Sequence, residues 1–457
     1  MTSVRRVHLQ TLGCARNETD SAELAGRLAA SGWQLVDDPT DADAVVVNTC
    51  GFIESARKDS IDALLSAADL KSDSGVKAVV AVGCMAERYG TELAADLSEA
   101  DAVLGFDEYE NFGETLAKIV GGVQVPSHQP QDRRLLSATS PSLRQTSDLS
   151  IPGHASSEVL RVRLDSKPYA PLKLASGCDR RCSFCAIPRF RGSYVSRRPT
   201  DVIAEAVWLA ERGVKELFLV SENTTSYGKD LGDMKLLETL LPTLTQIDGI
   251  ERVRVSYLQP AEMRPSLIEA MATTDKVAPY FDLSFQHASS TVLRSMRRFG
   301  GPDEFLALID SVRKQLPEAG IRSNFIVGFP GETDSDFATL CDFVEAARLD
   351  AVGIFGYSDE ADTEALGFTG KLSESVIHER LEDLSTLAEE ISAQRAEDRV
   401  GSTARVIIES RDGEGRTEFQ GPEVDGITTV SGRYDIGDVV DVRIVESDGI
   451  DLIAEPC

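Results

Sequence analysis

Residues 173–188 read KLASGCDRRCSFCAIP and contain Cys178, Cys182 and Cys185 in the spacing C-x3-C-x2-C. The motif directly follows residues 171–175, an apolar run typical of a buried strand. Three thiolates so close in sequence can bind three irons of a 4Fe–4S cube and leave the fourth iron open. The alternatives are chance clustering or a zinc site, which more often combines two-residue spacings with histidine. No histidine lies within 20 residues of the motif, which favours the iron–sulfur interpretation.

The sequence around this motif alternates between strands and helices. Residues 158–395 contain six strand candidates separated by helical segments: residues 171–175, 214–220, 251–256, 280–285, 322–327 and 351–355. Six such units in a row predict an open or partial βα barrel rather than a complete eight-stranded one.

Residues 1–120 predict a separate parallel α/β domain, with strands near residues 4–10, 43–48, 77–82 and 101–104. Cys14, Cys50 and Cys84 each lie just beyond one of these strands. The carboxyl ends of parallel strands converge on one crevice, so the three thiols could meet. Buried free cysteines are common in protein cores, but three at equivalent positions favour a second cluster site.

The remaining stretches differ in composition. Residues 121–157 are rich in Ser, Pro and Gln and predict a partly mobile inter-domain linker, with a long active-site loop as the alternative. Residues 398–457 contain five short β-runs separated by Gly and Asp turns, which predict a small β-barrel.

Composition limits the classes of function. The 457 residues are 42% hydrophobic, and 47 Lys and Arg against 75 Asp and Glu give a net charge of −28. This charge argues against a protein that coats nucleic acid, and it suits a basic partner. No apolar run approaches 18 residues and no signal peptide is evident, so we expect a cytoplasmic protein without a membrane segment. In a reducing cytosol, patterned cysteines more often bind metal or do chemistry.

The cysteine motif at the end of a first barrel strand resembles that of the radical S-adenosylmethionine (SAM) superfamily. The resemblance implies that the open iron binds SAM and that reductive cleavage of SAM yields a radical that abstracts hydrogen from carbon. The three-part organisation is similar to that of the methylthiotransferase family, whose C-terminal barrel is a TRAM domain. The resemblance covers nearly the whole chain except the linker, and it implies a second 4Fe–4S cluster, at Cys14, Cys50 and Cys84, that carries the sulfur.

Two branches of that family compete, one acting on adenosine in transfer RNA and one on an aspartate β-carbon in small-subunit ribosomal protein twelve. Residues 173–199 and the run LVSENTTSYGKDLG at residues 219–232 resemble the ribosomal-protein branch. That branch often has Gln-Asp where this chain has Glu222-Asn223, which weakens any role for Glu222. The resemblance implies a basic protein substrate and an electron donor, without a stable nucleic-acid complex.

Charge supports the same branch. Residues 401–457 contain five arginines, no lysine and thirteen acidic residues, a net charge of −8. A barrel that binds transfer RNA needs cations for its phosphates, whereas an acidic one would attract a basic protein. We therefore expect that removing these residues weakens substrate capture but leaves SAM cleavage intact. Reversal of acids in exposed turns should act similarly, and the candidates are Glu418, Glu423, Asp425 and Asp435.

Further candidates for SAM contacts stand at predicted strand ends: Glu222, Ser256, Gln286 and Gly328. Gly328 opens the sequence GFPGET, which predicts either a turn capped by Thr333 and Asp336 or a backbone that approaches an adenine closely. Arg297 and Arg298 could meet a carboxylate. No catalytic residue is assigned beyond the cluster ligands. An iron–sulfur electron carrier and a non-catalytic RNA-binding protein remain alternatives from other classes.

Overall fold

The computed structural model describes residues 4–51, 53–136, 161–422 and 424–457. The chain divides into two compact units, each built from several segments. The N-terminal unit comprises Met1–Ser166, Ala175–Arg180 and Ala186–Arg197, and the C-terminal unit comprises Lys167–Leu174, Arg181–Cys185 and Arg198–Cys457. The division crosses the C-x3-C-x2-C motif, so Cys178 belongs to the N-terminal unit whereas Cys182 and Cys185 belong to the C-terminal unit.

The N-terminal unit contains a parallel five-stranded sheet in the order β2-β1-β3-β4-β5. Its strands are β1 (Arg5–Thr11), β2 (Trp33–Leu35), β3 (Ala44–Thr49), β4 (Ala78–Gly83) and β5 (Ala102–Val103). Val46 and Val80 pack into one hydrophobic cluster, whereas Val45, Val47 and Val79 pack into another. Successive side chains point to opposite faces of a sheet, so both faces are covered. This explains why β3 and β4 are apolar throughout rather than alternating.

The described part of this unit also contains six α-helices and a short hairpin. The helices are α1 (Ala15–Ala30), α2 (Glu54–Asp73), α3 (Cys84–Asp96), α4 (Phe112–Val120), α5 (Arg133–Leu136) and α6 (Ile187–Arg191), and the antiparallel hairpin pairs β7 (Ala175–Ser176) with β8 (Val195–Ser196). The first part of the predicted linker packs on the sheet, because the backbone N–H of His128 donates to the carbonyl of Val103. Residues 137–157 of that linker lie outside the described residues.

The C-terminal unit contains six parallel strands in two sheets, ordered β10-β9-β6 and β11-β12-β13. These strands are β6 (Tyr169–Lys173), β9 (Glu216–Val220), β10 (Arg252–Val255), β11 (Tyr280–Asp282), β12 (Gly320–Val327) and β13 (Ala351–Gly356). Parallel bridges from Val253 to Val277 and from Leu258 to Leu283 join the two sheets into one curved wall. The predicted partial barrel of six strands is therefore confirmed.

Helices cover the outer face of this partial barrel. They are α7 (Pro199–Ala210), α8 (Leu236–Thr245), α9 (Pro265–Thr273), α10 (Ser290–Ser295), α11 (Pro302–Gln315), α12 (Asp334–Ala347) and the long α13 (Glu374–Glu397). Leu219, Phe325 and Phe343 are buried in a large hydrophobic cluster between the strands and these helices.

The chain ends in a closed five-stranded barrel in the order β14-β15-β16-β18-β17, which confirms the predicted small β-barrel. Its strands are β14 (Thr403–Ile408), β15 (Glu414–Arg416), β16 (Thr428–Val430), β17 (Val439–Asp448) and β18 (Asp451–Pro456). Val406, Val442 and Leu452 fill its interior. Among the described residues, no helix is long and apolar enough to cross a membrane.

Candidate iron–sulfur and SAM sites

Three cysteines of the N-terminal unit lie at the carboxyl ends of neighbouring strands. Cys14 precedes α1, Cys50 directly follows β3, and Cys84 begins α3 immediately after β4. Because β1, β3 and β4 are adjacent in the sheet, these ends lie along one edge of it.

Asn17, in the first turn of α1, connects the three strand ends. Its amide nitrogen Nδ2 donates to the carbonyl of Leu12 at 2.8 Å and to that of Thr49 at 3.1 Å. Its Oδ1 accepts a hydrogen bond from the Cys84 thiol at 3.5 Å. One buried side chain therefore fixes the segments that carry all three cysteines.

Glycines next to the cysteines allow these segments to approach closely. Gly13 has a φ of +93°, and a Cβ at this position would lie 2.9 Å from the sulfur of Cys50. A Cβ at Gly51 would lie 2.8 Å from the Cα of Met85. A larger residue at either position would separate the strand ends or displace Cys50.

The charges around these thiols differ from site to site. Burial raises the pKa of Cys84 to about 11, and the negative charge that Cys50 and Cys14 can carry adds to the effect. Burial acts in the same direction on Cys14, but the Arg16 guanidinium, 3.4 Å from its sulfur, and the charge of Arg191 lower its pKa overall. The three thiols therefore influence one another electrostatically, and arginines oppose the accumulation of negative charge.

The donor set fits a cluster better than a single ion. Within the described residues, no three His, Cys, Asp or Glu side chains converge closely enough to bind one metal ion. A 4Fe–4S cube takes its thiolates on different irons, so its ligands need not meet at one point. Three thiols at one sheet edge, beside two arginines, are compatible with such a cube.

Cys178 follows the short strand β7 within the N-terminal unit. Its backbone N–H donates to the carbonyl of Gly192, and its sulfur accepts a hydrogen bond from the backbone N–H of Arg180 at 3.4 Å. Gly177 has a φ of +78°, and a Cβ there would lie 2.3 Å from the carbonyl oxygen of Ser193. The glycine before the first cysteine is thus required by the tight hairpin that presents Cys178.

Cys182 and Cys185 lie on a turn of the C-terminal unit, where the Cys185 N–H donates to the Cys182 carbonyl. Ser183 fixes this turn, since its backbone N–H donates to the carbonyl of Met296. The Arg298 guanidinium lies 3.8 Å from the sulfur of Cys182 and also donates to a backbone carbonyl.

Arg297 does not act in the same way as its neighbour. Its guanidinium pairs with the Glu364 carboxylate at 2.6 Å, and both side chains are largely exposed. The expected carboxylate partner of Arg297 is therefore Glu364, a residue of the chain itself.

The other predicted SAM contacts stand where the sequence places them, at the carboxyl ends of barrel strands. Glu222 follows β9 and is partly buried, and Ser256 follows β10 and is fully buried. Gln286 has a φ of +75°, which is uncommon for a residue with a side chain, and it bridges to Phe325 of β12. These ends face the active site in barrels of this type.

The GFPGET sequence forms a turn stabilised by a buried carboxylate. Glu332 accepts hydrogen bonds from the backbone N–H of Gly328 at 2.9 Å and of Phe329 at 3.2 Å, and its Oε2 lies 3.4 Å from His287 Nε2. Burial would raise the pKa of Glu332, but its contacts with His287, the Gly328 N–H and the Arg380 guanidinium lower it overall. The Gly328 amide is therefore already occupied, and a Cβ on this residue would lie 2.5 Å from Ile377.

The helix that follows this turn begins with a capping box. The Thr333 hydroxyl accepts from the Asp336 N–H, and the Asp336 carboxylate accepts from the Thr333 N–H. The predicted structural interpretation of this motif is confirmed. The close approach of the backbone to an adenine stays a prediction.

Sequence reasoning missed several residues of the site. Arg191 contacts the Cys84 thiol but lies 107 positions away, so nothing local indicates the contact. The sequence indicates a turn at Glu332 but not the hydrogen bonds that its carboxylate accepts. Asn17 carried the clearest available signal, because it follows the candidate ligand Cys14 by three residues.

Three regions match known families. Residues 6–105 match the uncharacterized protein family UPF0004, residues 172–344 match the radical SAM superfamily, and residues 400–457 match the TRAM domain.

A solved structure supports the fold. The radical S-adenosylmethionine methyltransferase TsrM from Kitasatospora setae aligns with a TM-score of 0.54 over 77% of this chain and 73% of its own, at 16% identity.

Full-length relatives identify the family. Ribosomal protein uS12 methylthiotransferase RimO of Saccharopolyspora erythraea is 61% identical over 99% of this chain and 96% of its own length. The protein of that name from Streptomyces avermitilis is 59% identical over 100% and 97%, and the one from Cutibacterium acnes is 57% identical over 98% of each chain. The chain therefore belongs to the RimO family of radical SAM methylthiotransferases.

Proposed function

We propose that this enzyme inserts a methylthio group at the β-carbon of an aspartate in ribosomal protein uS12. Family membership at 61% identity across almost the whole length is the observation that carries the proposal. The runs at residues 173–199 and 219–232 that resemble the ribosomal-protein branch also support it.

Cys178, Cys182 and Cys185 are proposed to bind the 4Fe–4S cluster that binds SAM. When bound, this cluster would supply the electron that cleaves SAM and so provides the radical for hydrogen abstraction. The chain contributes donors to two of the ligand sulfurs, the Arg180 N–H to Cys178 and the Arg298 guanidinium to Cys182. Such donors offset the negative charge of a thiolate-bound group.

Cys14, Cys50 and Cys84 are proposed to bind a second 4Fe–4S cluster that carries the sulfur. The support is their place at three adjacent strand ends, the glycines that admit close approach, and the nearby arginines.

Gln286, Ser256 and Glu222 are proposed to contact SAM from the ends of barrel strands, and Gly328 through the close approach of its turn. The Gly328 N–H already donates to Glu332. Gly328 would therefore offer SAM its carbonyl and room for a close approach rather than a hydrogen-bond donor.

We further propose that the enzyme works in the cytoplasm with an external electron donor and forms no stable complex with nucleic acid. The proposed division is an α/β domain at 1–120, a linker at 121–157, the radical SAM barrel at 158–395 and the TRAM-like barrel at 398–457. Within the described part of residues 401–457, nine acidic residues are exposed against four arginines, and this excess suits a basic substrate.

The decisive experiment is mass spectrometry of uS12 and of transfer RNA from cells with and without this gene. In cells without the gene, we expect uS12 to be lighter by about 46 mass units, the difference between a methylthio group and the hydrogen that it replaces. The adenosine modifications of transfer RNA should be unchanged. Loss of methylthioadenosine with unmodified uS12 in both strains would assign the chain to the transfer-RNA branch instead.

A further inference from the structure

Arg191 lies beside the thiols of the N-terminal unit although it follows the radical SAM motif in sequence. Its Nη2 is 3.0 Å from the sulfur of Cys84, 2.9 Å from Oδ2 of Asp20 and 3.3 Å from Oδ1 of Asn17. Arg191 is only 5% exposed and Asp20 is completely buried. A buried guanidinium stays charged, so Cys84 has a permanent cation beside its sulfur.

Two neighbours hold the guanidinium in this orientation. Asp20 forms the ion pair on one side, and the ring of Phe106 lies 5.3 Å from the guanidinium carbon. A planar guanidinium that is paired and stacked in this way has little freedom to turn from the sulfur. This buried geometry suits a guanidinium that holds a charged sulfur in place, and it differs from that of a surface ion pair.

The β7–β8 hairpin, which includes Arg191, also carries Cys178 of the C-x3-C-x2-C motif. Arg191 ends α6, and the carbonyl of the next residue, Gly192, accepts the backbone N–H of Cys178. The β7–β8 pairing of Ser176 with Val195 closes this hairpin. Within the N-terminal unit, one short structure therefore fixes both Cys178 and the cation at Cys84.

We propose that Arg191 is a positioning residue for the iron–sulfur group bound by Cys14, Cys50 and Cys84, orienting the Cys84 thiolate and raising the reduction potential of that group. The inference rests on the proposed second cluster. A cation and a hydrogen-bond donor at a ligand sulfur stabilise the reduced, more negative state of a cluster. Removal of the guanidinium should therefore make the group harder to reduce.

The test uses the full-length chain in which Cys178, Cys182 and Cys185 are Ala, so that only the N-terminal cluster remains after anaerobic reconstitution. Iron content, melting temperature and the midpoint potential from an EPR-monitored redox titration are measured for this protein, for Arg191→Met and for Arg191→Lys. We expect Arg191→Met to shift the potential to more negative values or to lose most of its iron. Arg191→Lys, which keeps the charge, should recover part of the difference.

Arg133→Met is the matched control. Arg133 is also buried in the N-terminal unit, also lies over the Phe106 ring, at 5.7 Å, and pairs with a buried acid, Glu87, at 2.8 Å. We expect this variant to lose stability but to keep its iron and its potential. An unchanged potential and iron content in Arg191→Met, or equal iron loss in Arg133→Met, would overturn the inference. Absence of iron from the parent triple variant would instead refute the second cluster itself.

Discussion

Arg254 donates from Nε to Oε1 of Glu216 across 2.6 Å, and both side chains are completely buried. Guanidinium nitrogens of Arg252 and Arg416 lie 3.2 and 3.5 Å from the other oxygen of Glu216. Burial alone would raise the pKa of Glu216, but the three arginines lower it to about 2. Arg416 belongs to β15, so one carboxylate joins the partial barrel to the small C-terminal barrel.

Replacing Glu216 by Gln should destabilise the C-terminal unit by about 3–5 kcal/mol, because it leaves buried guanidinium groups without their anion. Urea unfolding of the two proteins at pH 7 measures the difference. Glu211→Gln is the control, since Glu211 is exposed and lies 3.9 Å from its partner Arg212. An effect of Glu216→Gln as small as that of the control would mean that the network contributes little.

The same carboxylate predicts a pH dependence of stability. Its pKa of about 2 in the folded protein lies below the ordinary value of 4.5. Its contribution is therefore complete above about pH 4.5 and is lost as the pH falls towards 2. The difference in unfolding free energy between wild type and Glu216→Gln should narrow across this window, as measured at pH 7, 4 and 3. A constant difference would assign the effect to packing rather than to charge.

Deletion of residues 401–457 tests whether the rest of the chain folds and cleaves SAM without the small barrel. The sequence leads to the expectation that SAM cleavage survives, because no proposed cluster ligand lies there. The structure argues otherwise, since Arg252 donates to the carbonyls of Arg405, Arg416 and Thr417, which the deletion would remove. We now expect a lower melting temperature and loss of 5′-deoxyadenosine formation. A truncated protein that melts normally and still cleaves SAM would restore the first expectation.

The sequence predicted the parts of the fold that depend on local pattern. The runs of β3 and β4 were predicted within a few residues, because strands buried on both faces are continuously apolar. The six barrel strands were also predicted within a few residues, although β10 and β12 contain polar residues. The strand β2 was missed because it has three residues. The contact of Arg191 with Cys84 and the ion pairs of Glu216 join segments far apart in sequence, and no local periodicity encodes such pairs.

Changing Cys178, Cys182 and Cys185 together to Ala should halve the iron from about eight to about four per chain, because each proposed site binds one 4Fe–4S cluster. The variant should form no 5′-deoxyadenosine from SAM and reductant. Iron analysis and chromatography of the products measure both effects. Iron unchanged from that of the wild type would refute the assignment of these ligands.

Changing Cys14, Cys50 and Cys84 together to Ala should separate radical formation from sulfur insertion. These cysteines are proposed to carry the sulfur and not to bind SAM, so 5′-deoxyadenosine should still form while methylthiolated uS12 does not. Replacement of Cys341, a partly buried cysteine beside the barrel core, is the control and should change neither product. Normal methylthiolation by the triple variant would reduce the three N-terminal cysteines to structural residues.

The acidic residues of the small barrel are not equivalent. Asp425, expected from the sequence to be an exposed turn residue, is buried and accepts hydrogen bonds from the Tyr280 hydroxyl and from the Gly421 N–H at 3.0 Å. Burial and the charge of Asp425 raise the pKa of Tyr280 well above 10. Reversal of Asp425 to Lys would therefore disrupt the barrel itself. Glu418 is partly buried, and Glu423 lies outside the described residues.

Exposed acids provide the appropriate test of substrate capture. Reversal of Asp412, Glu446 and Asp448 to Lys would change the net charge of residues 401–457 from −8 to −2 without touching the buried network. We expect slower association with uS12 at low salt, a difference that fades as salt rises because exposed charges are screened beyond about 8 Å at physiological ionic strength. Stopped-flow association at several salt concentrations measures the effect, with unchanged 5′-deoxyadenosine formation as evidence of an intact barrel.

Reversal to Lys of three exposed acids in the N-terminal unit, Asp59, Asp62 and Glu99, is the control. It changes the total charge by the same amount but should leave association nearly unaffected. Equal slowing by both variants would mean that total charge, and not the small barrel, attracts the substrate.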